Sequence, residues 1–177
     1  IGSVFSPYYF SGRANGAASA IEYSSFNIAL YGRTKGWAMT ERSSRWVQRS
    51  ANSLIIGPSQ LHRDDHDSRG FQLHYALREM TVPLPRRIRG DVWVNCPPAQ
   101  GAPQELDWQG RHYWWPAVPT AAASVSLRHP RLHWHGSAYV DSNWGSEPLE
   151  KAFRRWDWSR VHRRDGSAVI FYDVELR

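Results

Sequence analysis

Two short stretches set ionisable and aromatic side chains two residues apart. In "RHYWWP" (Arg111 to Pro116) His112 stands two residues before Trp114, and in "AYVDSN" (Ala138 to Asn143) Tyr139 stands two before Asp141. Residues i and i+2 share one face of an extended chain, so each pair presents an ionisable group and a ring together. Asp141 is therefore a candidate proton donor. It reads equally well as the residue that turns the chain, because Asp, Ser and Asn bond their own backbone where strands end, and Ser142, Asn143 and Gly145 follow it.

Other stretches suggest different chemistry. "HRDDHD" (His62 to Asp67) is rich in metal-ligand types, but adjacent loop residues rarely converge on one ion, which favours a solvated hairpin loop. His133 and His135 in "LHWHG" share a strand face, yet no third ligand accompanies them. Cys96, between Asn95 and Pro97, has no neighbouring group that would lower its pKa and reads as structural. No Gly-x-Ser-x-Gly elbow, phosphate-binding loop, dinucleotide fingerprint or His-Glu-x-x-His occurs.

The elements that must position these residues are mostly strands. "FNIALYG" (26–32) and "GWAMTER" (36–42) alternate with period two across a hairpin-length gap, and "NSLIIG" follows. "FQLHYALRE" puts Phe71, Leu73, Tyr75 and Leu77 on one face, and "IRGDVWVNC", "AAASVSLRH", "LHWHGSAYVD" and "SAVIFYDVEL" continue the pattern. Pro83, Pro85, Pro116, Pro119 and Pro130 read as turn signals between strands. "EPLEKAFRRW" (Glu147 to Trp156) alone predicts a helix, with Leu149, Ala152, Phe153 and Trp156 on one side. Many short, evenly spaced strands predict an all-β barrel or sandwich. The proline-rich stretch Pro97 to Pro103 divides it into a β-unit over 1–97 and a second, holding the helix, over 98–177. The opening "IGSVFSPYYF" and the close "VIFYDVELR" read as strands of a longer sheet.

The chain has 177 residues, 41% of them hydrophobic, with 10 Trp, 8 Tyr and 6 Phe. So many rings favour β-structure and a pocket for apolar or π-rich ligands. The net charge of +6 is carried mainly on Arg, scattered in ones and twos without nucleic-acid-binding spacing, which favours attraction to anionic lipid over nucleic acid. A single cysteine excludes an internal disulfide framework and points to a reducing compartment.

"GSVFSPYY", "NIALYG", "WAMTER", "SLIIGPS", "VPLPRRIRG", "AYVDSNWGSEPLE", "WDWSR" and "FYDV" occur in order, and together they resemble the carotenoid 1,2-hydratase (hydroxyneurosporene synthase) family over nearly the whole chain. The segment Tyr23 to Phe26 departs from the family's Asn-His-Cys-like pattern. The resemblance implies a lipocalin-like, two-barrel antiparallel β fold and addition of water across the terminal C1=C2 bond of an acyclic carotenoid, with no cofactor. It also implies that His112, Trp114, Tyr139 and Asp141 match the family's His-x-Trp and Tyr-x-Asp pairs.

On that reading Asp141 protonates the alkene, Trp114 and Tyr139 face the resulting tertiary cation, and His112 orients the water and takes its proton. A carboxyl that holds its proton near neutral pH must be buried beside apolar rings. Because carotenoids reside in membranes, the Arg-rich surface and an apolar rim are expected to dock on anionic lipid, placing the protein in the cytoplasm at the periphery of the inner or photosynthetic membrane. The rival expectation is a non-catalytic lipocalin-like carrier of a hydrophobic ligand.

Overall fold

The computed structural model describes residues 6–16 and 19–177. They form mostly antiparallel strands with two short helices. Helix α1 (Pro7–Ala14) is started by Ser6, whose Oγ accepts the Tyr9 N–H at 2.9 Å, and by a proline in the first turn, where a missing N–H costs nothing. A helix thus stands where the opening stretch suggested strand; residues 1–5 of that stretch lie outside the described residues.

Two compact units can be distinguished, each assembled from several chain segments: Ile1–Asp65, Gln72–Trp93 and Ser124–His135 in the first, and His66–Phe71, Val94–Ala123 and Gly136–Arg177 in the second. Both draw on residues from either side of the 97/98 division.

In the first unit, β1 (Asn27–Leu30) and β2 (Gly36–Met39) form the expected hairpin, pairing Asn27 with Met39 and Leu30 with Gly36. A meander of β3 (Val47–Arg49), β4 (Ser53–Ile56) and β5 (Ser59–Asp65) follows. His62 to Asp65 of the predicted loop are thus the end of a strand, and Arg63 holds Asp65 at 2.8 Å beside it.

Strands β6 (Phe71–Met80) and β7 (Arg87–Cys96) keep the predicted alternation, burying Phe71, Leu73 and Leu77 on one and Ile88 and Val94 on the other. Ala38, Leu77, Ile88, Val125 and Leu127 form the core of this unit, and Leu30, Tyr75 and Val92 pack against it. A Cβ at Gly90, whose φ is +151°, would stand 2.2 Å from the Ser126 carbonyl oxygen, so only glycine lets the backbones approach this closely.

Past the two-residue β8 (Gln104–Glu105) comes β9 (His112–His129), an 18-residue strand that contains both Pro116 and Pro119. These prolines were expected to end strands. Instead the burial alternation shifts phase between them, at the consecutive buried residues Ala117 and Val118, so the missing N–H groups fall at an irregularity within one strand. Strand β10 (Leu132–Gly145) follows, and the hydrogen-bonded order runs β10-β9-β7-β6-β5-β4-β3 with β8 beside β9. Among the described residues no pairing closes this order into a barrel.

The predicted helix over 147–156 is a single turn, α2 (Leu149–Ala152). Phe153 already begins β11 (Phe153–His162), which pairs along its length with β12 (Ala168–Leu176). Spacing that fits a helical face is overridden here by cross-strand pairing, a tertiary effect that a local pattern does not carry. Among the described residues no helix is long and apolar enough to cross a membrane.

Candidate active site

The parts of strands β9 and β10 that lie in the second unit bring three of the four candidate residues into contact. Trp114, 9% exposed, projects from β9, and Tyr139 and Asp141 share one face of β10. The Trp114 indole N–H lies 3.0 Å from Asp141 Oδ2 and 3.2 Å from the Tyr139 hydroxyl, and that hydroxyl donates to the same Oδ2 at 3.2 Å. Asn143 Nδ2 approaches Oδ2 at 3.5 Å. Three donors therefore converge on one carboxyl oxygen, while Oδ1 accepts no hydrogen bond among the described residues. Residue 141 is exposed in this chain, in contrast to the burial expected of a proton donor.

Two rings from the β11–β12 hairpin complete the surroundings. Trp158 and Tyr172 are direct cross-strand partners, so they project from the same face. Tyr172 lies 5.0 Å from Trp114 and Trp158 lies 5.4 Å from Tyr139, centroid to centroid. The Arg160 guanidinium sits 5.7 Å from the Tyr139 ring centroid, fixed by the carbonyls of Pro119 at 3.1 Å and Ala138 at 3.4 Å.

The phenol of Tyr139 is pushed up to about 12 by burial and by the negative charge of Asp141, against the opposing effect of hydrogen bonds with Trp114 and Trp158. Burial and Asp141 raise Tyr172 in the same way. Both phenols stay protonated at neutral pH and can serve as donors.

His112 belongs to a different arrangement. It is 2% exposed and bonded at both nitrogens, through Nδ1 to Asp107 Oδ2 at 2.7 Å and through Nε2 to the Glu147 carbonyl at 3.0 Å. It makes no hydrogen bond with Tyr139 or Asp141. A carboxylate lies on one side of the ring and a backbone carbonyl on the other, so both of its partners are acceptors. Phe153 meets the ring edge-on at 4.8 Å. A Cβ on Gly145 would lie 2.8 Å from His112 Cδ2, so the imidazole lies directly against the end of β10.

Asp107 holds its own turn as well, its Oδ1 accepting the N–H groups of Gln109 at 2.9 Å and Arg111 at 3.2 Å. Burial acts to raise its pKa, but the His112 hydrogen bond, these two backbone donors and the charge of His112 together lower it.

Sequence reasoning did not assign Asp107, Asn143, Trp158 or Tyr172. Asn143 continues the i, i+2 series after Asp141, and Trp158 and Tyr172 lie in motifs that carried the family resemblance. Asp107 carries no periodic signal, because it lies in a turn. His133 and His135 do share a face, with ring centroids 5.1 Å apart, but among the described residues no three His, Cys, Asp or Glu form a group that could hold a metal ion.

The sequence profile of the family described as carotenoid hydratase CrtC matches residues 1–177. Similar curated proteins include the acyclic carotenoid 1,2-hydratase of Rubrivivax gelatinosus, 44% identical over 180 residues that cover 100% of this chain and 43% of that protein. The acyclic carotenoid 1,2-hydratase of Thiocapsa roseopersicina is 42% identical, with 100% and 42% covered. That of Cereibacter sphaeroides is 34% identical, with 100% and 60% covered. The chain thus spans about two fifths to three fifths of the length of these relatives. No solved structure gives a significant match. A profile match over the whole chain, together with relatives that align along all of it, shows that this chain belongs to the carotenoid hydratase CrtC family.

Proposed function

We propose that the protein to which this chain belongs is an acyclic carotenoid 1,2-hydratase and that Asp141 is its proton donor. The observation that carries this reading is the convergence of Trp114, Tyr139 and Asn143 on Asp141 Oδ2. A carboxylic acid held this way has its carbonyl oxygen occupied and its Oδ1–H free to point at an alkene.

The steps balance. Oδ1 gives its proton to C2 of the terminal double bond, leaving a tertiary cation at C1 and a carboxylate at Asp141. Water then forms the C–O bond at C1 and returns its proton to that carboxylate, so the acid is regenerated and no cofactor is needed. The rings of Trp114, Tyr139, Tyr172 and Trp158 suit the cation, each desolvated contact contributing roughly 2 kcal/mol without trapping it covalently. Arg160 already lies over the Tyr139 ring, which favours Trp114 and Tyr172 as the principal stabilisers.

His112 acts as a positioning residue on this reading. Its two nitrogens are committed to Asp107 and to Glu147, just past the strand that carries Asp141, and its ring lies against Gly145 at that strand's end. A lipocalin-like barrel in the complete protein would supply the apolar tunnel for the polyene and the dry surroundings that Asp141 needs.

Incubation of the full protein with lycopene or neurosporene in heavy-oxygen water tests the assignment. A tertiary alcohol carrying the label is expected, and Asp141→Asn should lower its formation by at least about a hundredfold in folded protein. Turnover near wild type in Asp141→Asn would remove the acid assignment. Carotenoid recovered bound but unchanged would favour the carrier.

A further inference from the structure

One end of the first unit combines charge and exposed apolar side chains in a way the hydration chemistry does not use. Three connections meet there: β1–β2 (Tyr31 to Lys35), β6–β7 (Thr81 to Arg86) and β9–β10 (Pro130 and Arg131). The Val82 N–H bonds the Trp37 carbonyl at 2.9 Å, tying the second connection to β2, the strand that leaves the first. All three border one cavity of about 350 Å³, floored by Leu30 and Ile88 and edged by Lys35, Arg86, Arg87 and His129.

Segments 30–36, 80–89 and 128–132 carry seven Lys or Arg and no Asp or Glu. Arg33 and Lys35 come from the first, Arg86, Arg87 and Arg89 from the second, and Arg128 and Arg131 from the third. All seven are exposed, and none forms an ion pair with a described residue. Charges elsewhere on the chain are often matched locally, as Arg155 is by Asp157 at 2.7 Å. At the tips, Tyr31 is 88% exposed, Leu84 67% and Val82 43%.

The β6–β7 tip is also braced from within. Thr81 Oγ1 donates to the Leu84 carbonyl and accepts the Arg86 N–H at 3.0 Å, while Thr81 N–H bonds the Arg86 carbonyl at 2.8 Å. Leu84 is thus presented on an ordered loop, which reduces the entropy lost when it binds.

We propose that this end of the unit is a docking surface for a membrane containing anionic lipid, with Leu84, Val82 and Tyr31 entering the interface and the seven cations facing headgroups. Charge without apolar tips would fit any polyanion, and apolar tips without charge would fit any hydrophobic partner. The combination fits a surface that is anionic outside and hydrocarbon beneath. A cavity of this size with Lys35, Arg86 and Arg87 at its rim suits one phosphate-bearing headgroup. The proposal does not depend on the hydration chemistry, and its test contains no carotenoid.

Co-sedimentation of the full protein with phosphatidylcholine vesicles, with or without about one third phosphatidylglycerol, provides the test. Binding is expected with the anionic lipid and not without it. Arg86→Ser with Arg87→Ser should lower partitioning by roughly tenfold or more, since each basic residue near such a surface contributes about fivefold. Arg128→Ser with Arg131→Ser repeats the loss from a different hairpin, and Leu84→Ser should lower partitioning severalfold at unchanged charge. Partitioning that none of these folded variants alters overturns the proposal. So does binding of heparin or single-stranded DNA as tight as vesicle binding and indifferent to Leu84→Ser, which would make the face a general polyanion surface.

Discussion

Trp114 donates its indole N–H to the Asp141 carboxyl at 3.0 Å across 27 residues of sequence, so the ring proposed to face the cation also holds the carboxyl proposed as the acid. The two contributions separate by substitution. Trp114→Phe keeps a ring and loses the donor, and should lower hydration about tenfold, as expected for one hydrogen bond to a charged group. Trp114→Ala should lose roughly thirtyfold more, the equivalent of a 2 kcal/mol cation contact. Equal rates for the two variants would leave the ring without a role in stabilising the cation.

Tyr139 and Tyr172 are both held above the ordinary tyrosine range, by burial first and by the Asp141 charge second. In an alkaline titration followed by phenolate absorbance, these two tyrosines should therefore ionise above the ordinary tyrosine range. Asp141→Asn removes the negative charge and should move both toward lower pH without merging them with exposed tyrosines, because burial remains. No movement in the variant would contradict the closeness of these three side chains.

The buried His112–Asp107 pair predicts an acid limit to stability. The Asp107 pKa is lowered in the folded chain, so its contribution is complete above the ordinary Asp value near 4 and is lost as pH falls through the native value. Asp107→Asn should flatten that acid limb in denaturant melts. At neutral pH it should cost about 3 kcal/mol, because the buried imidazole loses its carboxylate partner. An acid limb as steep as wild type would place the responsible carboxylate elsewhere.

Gly90→Ala should be among the most damaging small substitutions in the first unit. The added methyl meets the Ser126 carbonyl oxygen and Leu127 Cα, which are backbone atoms that cannot swing away, and the local φ of +151° disfavours any side chain. A loss of about 3 kcal/mol or more is expected in thermal or denaturant unfolding. A neutral result would mean that β7 and β9 lie farther apart than described.

Period-two spacing made much of the site legible. It put Tyr139 beside Asp141 and read the strands that became β1, β2, β6, β7 and β10. It failed where a distant partner decides the local structure. Phe153 to Trp156 fits a helical face, yet it pairs with Val174 to Leu176 in a sheet. Pro116 and Pro119 are read as breaks because proline cannot donate to a ladder, but β9 tolerates both at its phase shift. Asp107 was invisible for another reason: its work depends on a histidine that only the folded turn brings within 2.7 Å.

The interleaving of the two units sets an order on folding. The first unit needs Ser124–His135, and the second unit's residues 66–71 and 94–123 pack with a segment that extends to Arg177. On a chain emerging from the ribosome, the first unit is not complete until residue 135 has appeared, and the earlier strands of the second wait longer still. Strands that await distant partners are slow to be covered and prone to pair wrongly. Slower synthesis or added chaperone should therefore raise the share of chains that fold.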